Sequence, residues 1–392
     1  MARAFGKESA AAIILITTWI RVTAKQGSDL ESMSRQASTT FALKLLGGLP
    51  EDNGTNYVMS PVGLALALSL VSEAAKGDTL REITEFQGSY KTVGFPLLSY
   101  GDRAKRLGTA DTDGIFEYAT LAVFKPQLAI RESFKTFVSK SHHGLIVSSD
   151  KEGIQKGNDW LKTHTQGKFQ KVPELADGSL MLLASFVYFR GGWQQKFDRN
   201  FTEKDTFHNG DGTESQIDFM STRGKFLHIF DDDMKADIVC LPYTGNISFI
   251  LVVPTNRYGL ANAMQKLSTS KVQELLLKSA PKVVEVKMPK LDLTVTSSLK
   301  SLVQKLGLKL LFESNANLEG ISEVPLKVSD LEQSVGLRVN EDGTAAEAVT
   351  IAQIEPLSDA TEVELTASHP FLFFIVHRTN MDVLFEGVVN KL

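Results

Sequence analysis

NEDGTAAEAVTIAQIEPLSDATEVELTASHP, residues 340–370, decides how the chain is read. It separates LKVSDLEQSVGLRV (326–339) from FLFFIVH (371–377), two runs with the apolar and β-branched content of buried strands. From Thr344 to Ser368 it holds 25 residues without a Lys, Arg, Cys or His. A structureless stretch of that length is uncommon inside a folded chain and is usually functional or disordered. At a period of two, Thr344, Ala346, Ala348, Thr350 and Ala352 form a small, uncharged face that a sheet could bury without desolvating a charge. Ala345, Glu347, Val349, Ile351 and Gln353 form a mixed face that can meet solvent. Gly343 precedes both and can pivot through backbone conformations closed to other residues. The same residues also suit a short helix, because Thr344 and Glu347 have capping-box spacing and AAEAV is good helix sequence.

The 392 residues, 43% of them hydrophobic, can bury a large core, and the length prior allows two domains without requiring them. A net charge of -4, from 42 basic and 46 acidic residues, points to no nucleic acid and no anionic membrane as main partner. Arg103, Lys105 and Arg106 read as a solvated face. The single cysteine, Cys240 in DIVCLPY, rules out an intramolecular disulfide and reads as a small buried hydrophobe. At the N-terminus Arg3 and Lys7 precede AAAIILITTWI and the small residues Val22, Thr23 and Ala24, the order of a secretory signal peptide spanning residues 1–24. Glu8 and Arg21 fit that pattern less well, and a cytosolic start or an N-terminal helix is the other reading. Asn53, Asn200 and Asn246 open Asn-x-Ser/Thr glycosylation sequons, as a secreted chain would allow.

Residues 33–88 read as helical, with Ser60 as cap and Pro61 in the first turn ahead of LALALSLVSEAA. IFEYATLAVF and LMLLASFVYF have strand length, and the second is apolar on both faces, which places it centrally in a sheet. CLPYTGNISFILVVP reads as two strands joined at Gly245, followed by helices in GLANAMQKLS and VQELLLKSA. KVVEVKMPKLDLTV alternates as one half-buried strand, and SSLKSLVQKLGL reads as a capped helix ending at Gly307. No repeat or linker appears, which argues for one α+β domain over residues 25–392.

No GxSxG, HExxH, GxGxxG or P-loop occurs, and the seven histidines lack ligand spacing, so neither an enzyme nor a metal site is indicated. Asp231, Asp232 and Asp233 lack the Gly and Glu of a calcium loop and read as a turn.

NEDGTAAEA resembles the hinge of the serpins, the serine protease inhibitor superfamily. YVMSPVGLALALSLVSEAAKGDTLREI, NDWLKTHTQGKF, FVYFRGGWQQKFDRNFTEKDTFH, LPYTGN, VKMPKLDL, LEGIS and HPFLFFIVH resemble other serpin segments, in the family's order, from about residue 33 to the end. The resemblance implies the serpin fold, α+β with three β-sheets, eight to nine helices and an exposed reactive loop, here about 341–368. It also implies a monomer that needs no cofactor and is not an enzyme. A target protease cleaves the loop and is caught as an acyl-enzyme. The hinge, Glu341, Gly343, Thr344, Ala345, Ala346 and Ala348, then enters the central sheet as a new strand.

Counting fourteen residues on from Gly343 by the family's spacing puts the scissile bond between Leu357 and Ser358, with Ile354, Val349 and Val363 as alternatives. A leucine there suits the apolar pocket of chymotrypsin-like or elastase-like serine proteases, and the loop offers trypsin-like enzymes no Lys or Arg. The family holds its central sheet with a buried cluster of serines, an asparagine and a histidine. Here Ser60 remains, Gly63 stands for the second serine, Ser185 for the asparagine and Gln333 for the histidine, which makes the ease of sheet opening an open question. A non-inhibitory carrier or storage protein, and an inhibitor of papain-like cysteine proteases, are the competing readings. Scattered lysines do not indicate a heparin-like polyanion cofactor.

Overall fold

Phe41, Ala42, Leu45 and Leu46 are buried along one face of α1 (Asp29–Gly47), the spacing that an amphipathic helix needs to seat on a sheet. The structure is a computed structural model and describes residues 29–50, 54–88, 115–140, 144–344, 362–378 and 381–392. In chain order α1 is followed by β1 (Tyr57–Met59), α2 (Pro61–Ser72), α3 (Gly77–Phe86), β2 (Ile115–Phe124), α4 (Glu132–Ser139), β3 (Gly144–Ser148), α5 (Lys151–His164) and β4 (Met181–Gly192). Then come β5 (Glu203–His208), β6 (Glu214–Asp231), β7 (Ala236–Pro242), β8 (Ile247–Pro254), α6 (Leu260–Lys266), α7 (Thr269–Lys278), β9 (Ala280–Pro289) and β10 (Leu291–Ser298). α8 (Lys300–Lys305), β11 (Asp330–Val339), β12 (Gly343–Thr344), β13 (Val363–Thr366), β14 (Phe371–His377) and β15 (Val383–Val389) complete the described α+β fold.

Two units divide the chain: one holds Gly191–Leu291, Arg338–Leu392 and the chain before Val58, and the other holds Val58–Arg190 and Asp292–Leu337. In the second unit Ser60 caps α2 by accepting the Gly63 N–H at 3.0 Å, and Pro61 fills the first turn. Apolar all round, α2 is buried over most of its length. The sheet of this unit runs β10-β11-β4-β2-β3, so β4 is central, as its two apolar faces predict. β11 and β4 pair directly and in parallel, from Asp330 opposite Leu182 to Leu337 opposite Phe189. No strand separates them.

In the first unit a nine-stranded sheet runs β1-β15-β14-β8-β7-β6-β9-β13, with β5 on β6. The 18-residue β6 carries three ladders, pairing β5 through its first third, β9 through its middle and β7 at its end. Two of the expected three sheets thereby run on through one strand. The KVVEVKMPKLDLTV run is two strands, β9 and β10, parted at Lys290 after Pro289, because proline withdraws a ladder donor there. α8 starts after Leu299, whose own side chain makes no cap; the Ser298 hydroxyl accepts the Lys300 N–H at 3.4 Å while donating to Asp330 at 2.6 Å. Asp231 does form a turn, accepting the Met234 N–H at 2.8 Å while Lys271 of α7 sits 2.7 Å from its carboxylate.

A column of rings crosses the core of the first unit. Tyr243 stacks on Trp193 with centroids 4.2 Å apart, Trp193 meets Phe249 edge-on at 5.9 Å, and Phe249 stacks on Phe373 at 5.3 Å. Gly387 of β15 ends the column, pairing across from Phe373 so closely that a Cβ would lie 2.3 Å from its ring. Gly387→Ala is therefore expected to cost about 1–3 kcal/mol through overpacking, read as a lower thermal unfolding midpoint with unchanged far-ultraviolet circular dichroism.

Candidate functional site: the turn after β11 and the strand it meets

Asn340 and Gly343 close a tight turn at the end of β11, exchanging backbone bonds of 2.8 and 3.1 Å, while Asn340 Oδ1 accepts the Asp342 N–H at 3.0 Å. Gly343 has φ of +131°, and a Cβ there would stand 2.0 Å from the Gly191 carbonyl oxygen. Only glycine fits both the dihedral and the space. From this turn β12 runs antiparallel to the end of β4, Gly343 opposite Gly192 and Thr344 opposite Gly191. Thr344 is fully buried, with its hydroxyl 2.8 Å from that of Tyr243. Thr344 itself stands in β12; the rest of the capping-box segment, Ala345 to Val349, lies outside the described residues.

Trp193 positions this turn from below. Its Nε1 donates to the Asn340 carbonyl at 2.8 Å and its backbone N–H to the Asp342 carbonyl at 3.1 Å; the Phe197 N–H reaches the Glu341 carbonyl at 3.0 Å. Charges then fasten the acidic pair. Glu341, 5% exposed, accepts from the Thr202 hydroxyl at 2.7 Å and from Lys290 at 3.1 Å. Burial opposes its ionisation, yet Thr202, its own backbone N–H and Lys290 outweigh that and hold the carboxyl below its ordinary range. Asp342 is opposed by burial in the same way and held low by Arg199, which donates to it, and by Lys196 at 3.5 Å.

Ser60 and Gln333 meet in the second unit. The Ser60 N–H donates to Gln333 Oε1 at 2.7 Å, and Gln333 Nε2 returns a bond to the Ser60 carbonyl at 3.0 Å, so the buried amide is satisfied at both ends. Ser185 lies between Thr120 of β2 and Gln333 of β11 in register, giving a polar row across three strands. Gly63 closes the cluster: a Cβ there would lie 2.4 Å from Val187 Cγ2 and 3.0 and 3.2 Å from Ser185 Oγ and Gln333 Nε2. Glycine at 63 thus lets α2 approach Val187 and the polar pair of Ser185 and Gln333.

Of the other expected positions, Asn200 is exposed in a turn capped by Asp198, and Asn246 is half-buried with its carbonyl accepting the Arg378 N–H at 2.7 Å. Ala345, Ala346, Ala348, Leu357, Ser358, Asn53, the 1–24 segment and the basic cluster at Arg103, Lys105 and Arg106 lie outside the described residues. Trp193, Tyr243, Lys196, Arg199, Thr202 and Lys290 were not singled out by the sequence reading. Their partners are distant in the chain, and only the FVYFRGGW block hinted at Trp193. Among the described residues no cluster could hold a metal ion, and no helix is long and apolar enough to cross a membrane.

A separate apolar cavity of about 100 Å³ lies in the first unit, bounded by Ala42, Leu43, Cys240, Ile250, Phe374 and Val383 among others. Burial pushes the Cys240 thiol up, in keeping with a packing role.

The profile of the family described as "Serpin (serine protease inhibitor)" matches residues 36–392. The chain belongs to the serpin family. Iripin-2 of Ixodes ricinus is 31% identical, covering 92% of this chain and 94% of its own. Iripin-5 of the same organism is also 31% identical, over 96% and 98%. Among solved structures, Serpin48 of the insect Tenebrio molitor superposes with a TM-score of 0.79 at 24% identity, covering 93% of this chain and all of that one. Human thyroxine-binding globulin, solved with its hormone, gives 0.82 at 21% identity over 93% and 99%. These two likenesses establish the serpin fold, and the family is one of protease inhibitors.

Glu341→Gln keeps the Thr202 bond but removes the charge facing Lys290, and is expected to cost about 1 kcal/mol, since that lysine stays partly hydrated. The acid dependence has a definite sign. Because Glu341 and Asp342 are held low when folded, their contribution is full above the unfolded carboxylate value and is lost as pH falls below about 4. Hydrogen exchange at residues 338–344, corrected for its intrinsic pH dependence, should rise from pH 5 to pH 3, and less so in Glu341→Gln.

Proposed function

We propose that this serpin is a secreted inhibitor that traps chymotrypsin-like or elastase-like serine proteases by cleavage at Leu357–Ser358 and insertion of the loop into the central sheet. One observation carries the reading: Thr344 is already buried and paired on β4 as an antiparallel strand, while β11 and β4 are still closed on each other below it. A first pair is in place. Extending that register six residues along each strand sets Thr350 opposite Ser185, so the one further hydroxyl on the small face meets the polar row of Thr120, Ser185 and Gln333. Alanines occupy the positions between, and the face enters the sheet without burying a charge.

The consequences for the protease follow from length. A strand from Thr344 to Leu357 spans roughly 45 Å at about 3.3 Å per residue. An enzyme esterified to Leu357 is carried with it, and distortion of its oxyanion hole stops deacylation. The serpin supplies bait and spring and turns over no substrate. Acidic Glu355, Asp359, Glu362 and Glu364 around the bond favour a target with a basic rim. On this reading residues 1–24 are a signal peptide, the mature domain is 25–392, and exposed Asn200 is a better glycan acceptor than half-buried Asn246.

A second reading rests on the apolar cavity, which would suit a carrier of small apolar molecules as thyroxine-binding globulin carries its hormone. The two separate on a denaturing gel. Mature protein mixed with chymotrypsin, elastase and trypsin should give a covalent band with the first two and release a peptide beginning at Ser358. Leu357→Arg should move the band to trypsin. Thr344→Arg puts a cation where the side chain is fully buried and should yield cleavage with no covalent band. Clean cleavage of the unaltered protein by every enzyme would overturn the inhibitory reading in favour of the carrier.

A further inference from the structure

Glu386 stands in the middle of β15, 1% exposed, and neither of its carboxyl oxygens has a hydrogen-bond partner. It pairs across the strand with Phe374, and two residues on, Val388 pairs with Leu372. Strand alternation sets these four on one face, and Leu372, Phe374 and Val388 belong to the apolar cluster that α1 covers with Ala42 and Leu46. A carboxylate cannot stay charged there without a partner, so the group is held as the neutral acid. Burial pushes its carboxyl well above the usual carboxylate range.

Among the described residues no neighbour supplies a counter-charge. The described titratable and charged side chains on α1, β1 and the β14–β15 hairpin are Lys44, Tyr57, His377 and Asp382, with Arg378 and Lys391 just beyond the strands, and β8 carries none. The displacement of Glu386 arises from desolvation, with no contribution from any of them. Lys44 is lowered by its own burial. Space is close at hand, however. Phe374, the cross-strand partner of Glu386, and Val383 of the same strand both line the cavity of about 100 Å³ beneath α1. An apolar cavity stays dry beside a neutral acid and can admit water beside a charge.

We propose that Glu386 is a pH-sensitive catch between α1 and the β14–β15 hairpin: neutral, it lets the layers close, and on losing its proton to solvent it draws water into the adjoining cavity and loosens them. The sign follows from linkage. Below about pH 4 the carboxyl is protonated in both folded and unfolded chains, and the native state keeps its full stability from this site. As pH rises, the unfolded chain ionises first, and the folding constant falls by up to about tenfold per pH unit until the folded form also ionises. Glu341 and Asp342, held low, act with the opposite sign and near pH 4 or below, so the two effects occupy separate windows.

The test uses the full mature chain as wild type, Glu386→Gln and Glu386→Met, the last of which keeps the volume without a polar group should glutamine fold poorly. Hydrogen exchange is followed from pH 5 to pH 9 in peptides from α1, β14 and β15, corrected for intrinsic rate, with peptides from α5 as internal reference. The expected result is protection that falls with pH in the wild type, by up to about tenfold per unit, at α1, β14 and β15 alone, and that stays level in both variants. A slope that persists in either variant, or a wild type with no slope, overturns the proposal.

Discussion

Trp193 stacked on Tyr243 is the contact on which the hinge depends. Its indole N–H and its backbone N–H fix two of the four residues in the turn after β11, and the ring beneath it presents the hydroxyl that receives Thr344. Because Phe249 and Phe373 extend the stack, the hinge is referenced to the rigid middle of a nine-stranded sheet. The ion pairs of Glu341 and Asp342 add to a position already defined by rings and backbone bonds. Their carboxylates are largely buried while Lys290 and Arg199 reach water, so salt screens them in part; the stack is dry and does not depend on salt.

Function requires a second, opposing feature. β11 and β4 satisfy each other's backbone groups, yet a parallel pair is slightly less stable per residue than an antiparallel one. An incoming strand would replace one parallel ladder with two antiparallel ladders. The gain in backbone bonding and buried area lies in the open, and the small polar cluster of Ser60, Ser185 and Gln333 sits where the ladders must part. Gln333 answers the question raised by the absent histidine in part. Its amide spans Ser60 with one donor and one acceptor.

Much of this was legible in the chain. The doubly apolar LMLLASFVYF named the central strand, Ser60-Pro61 named the start of the buried helix, and the period-two face from Thr344 has its first residue buried. The failures have physical causes. Alternation across KVVEVKMPKLDLTV could not show that Pro289 ends one ladder and that Leu291 begins another. The partner of the Thr344 hydroxyl, a tyrosine 101 residues away in sequence, left no local signal to read. The cations that clamp the hinge looked like ordinary surface charge because nothing local distinguishes Lys196 or Lys290 from other lysines. Glu386 was passed over inside an apolar strand, where a single polar residue leaves no period to detect.

The tight turn at Gly343 also bears on how the chain reaches this form at all. A hairpin between β11 and the residues that follow it would close a loop of a few residues, on the microsecond scale, whereas β11 must search across more than a hundred residues to find β4. The nearer partner should win the race, and the native molecule exists because it does not. Alanine is a poor strand former when left to itself. The small residues that let the loop be buried without a charge thus also weaken the nearer hairpin.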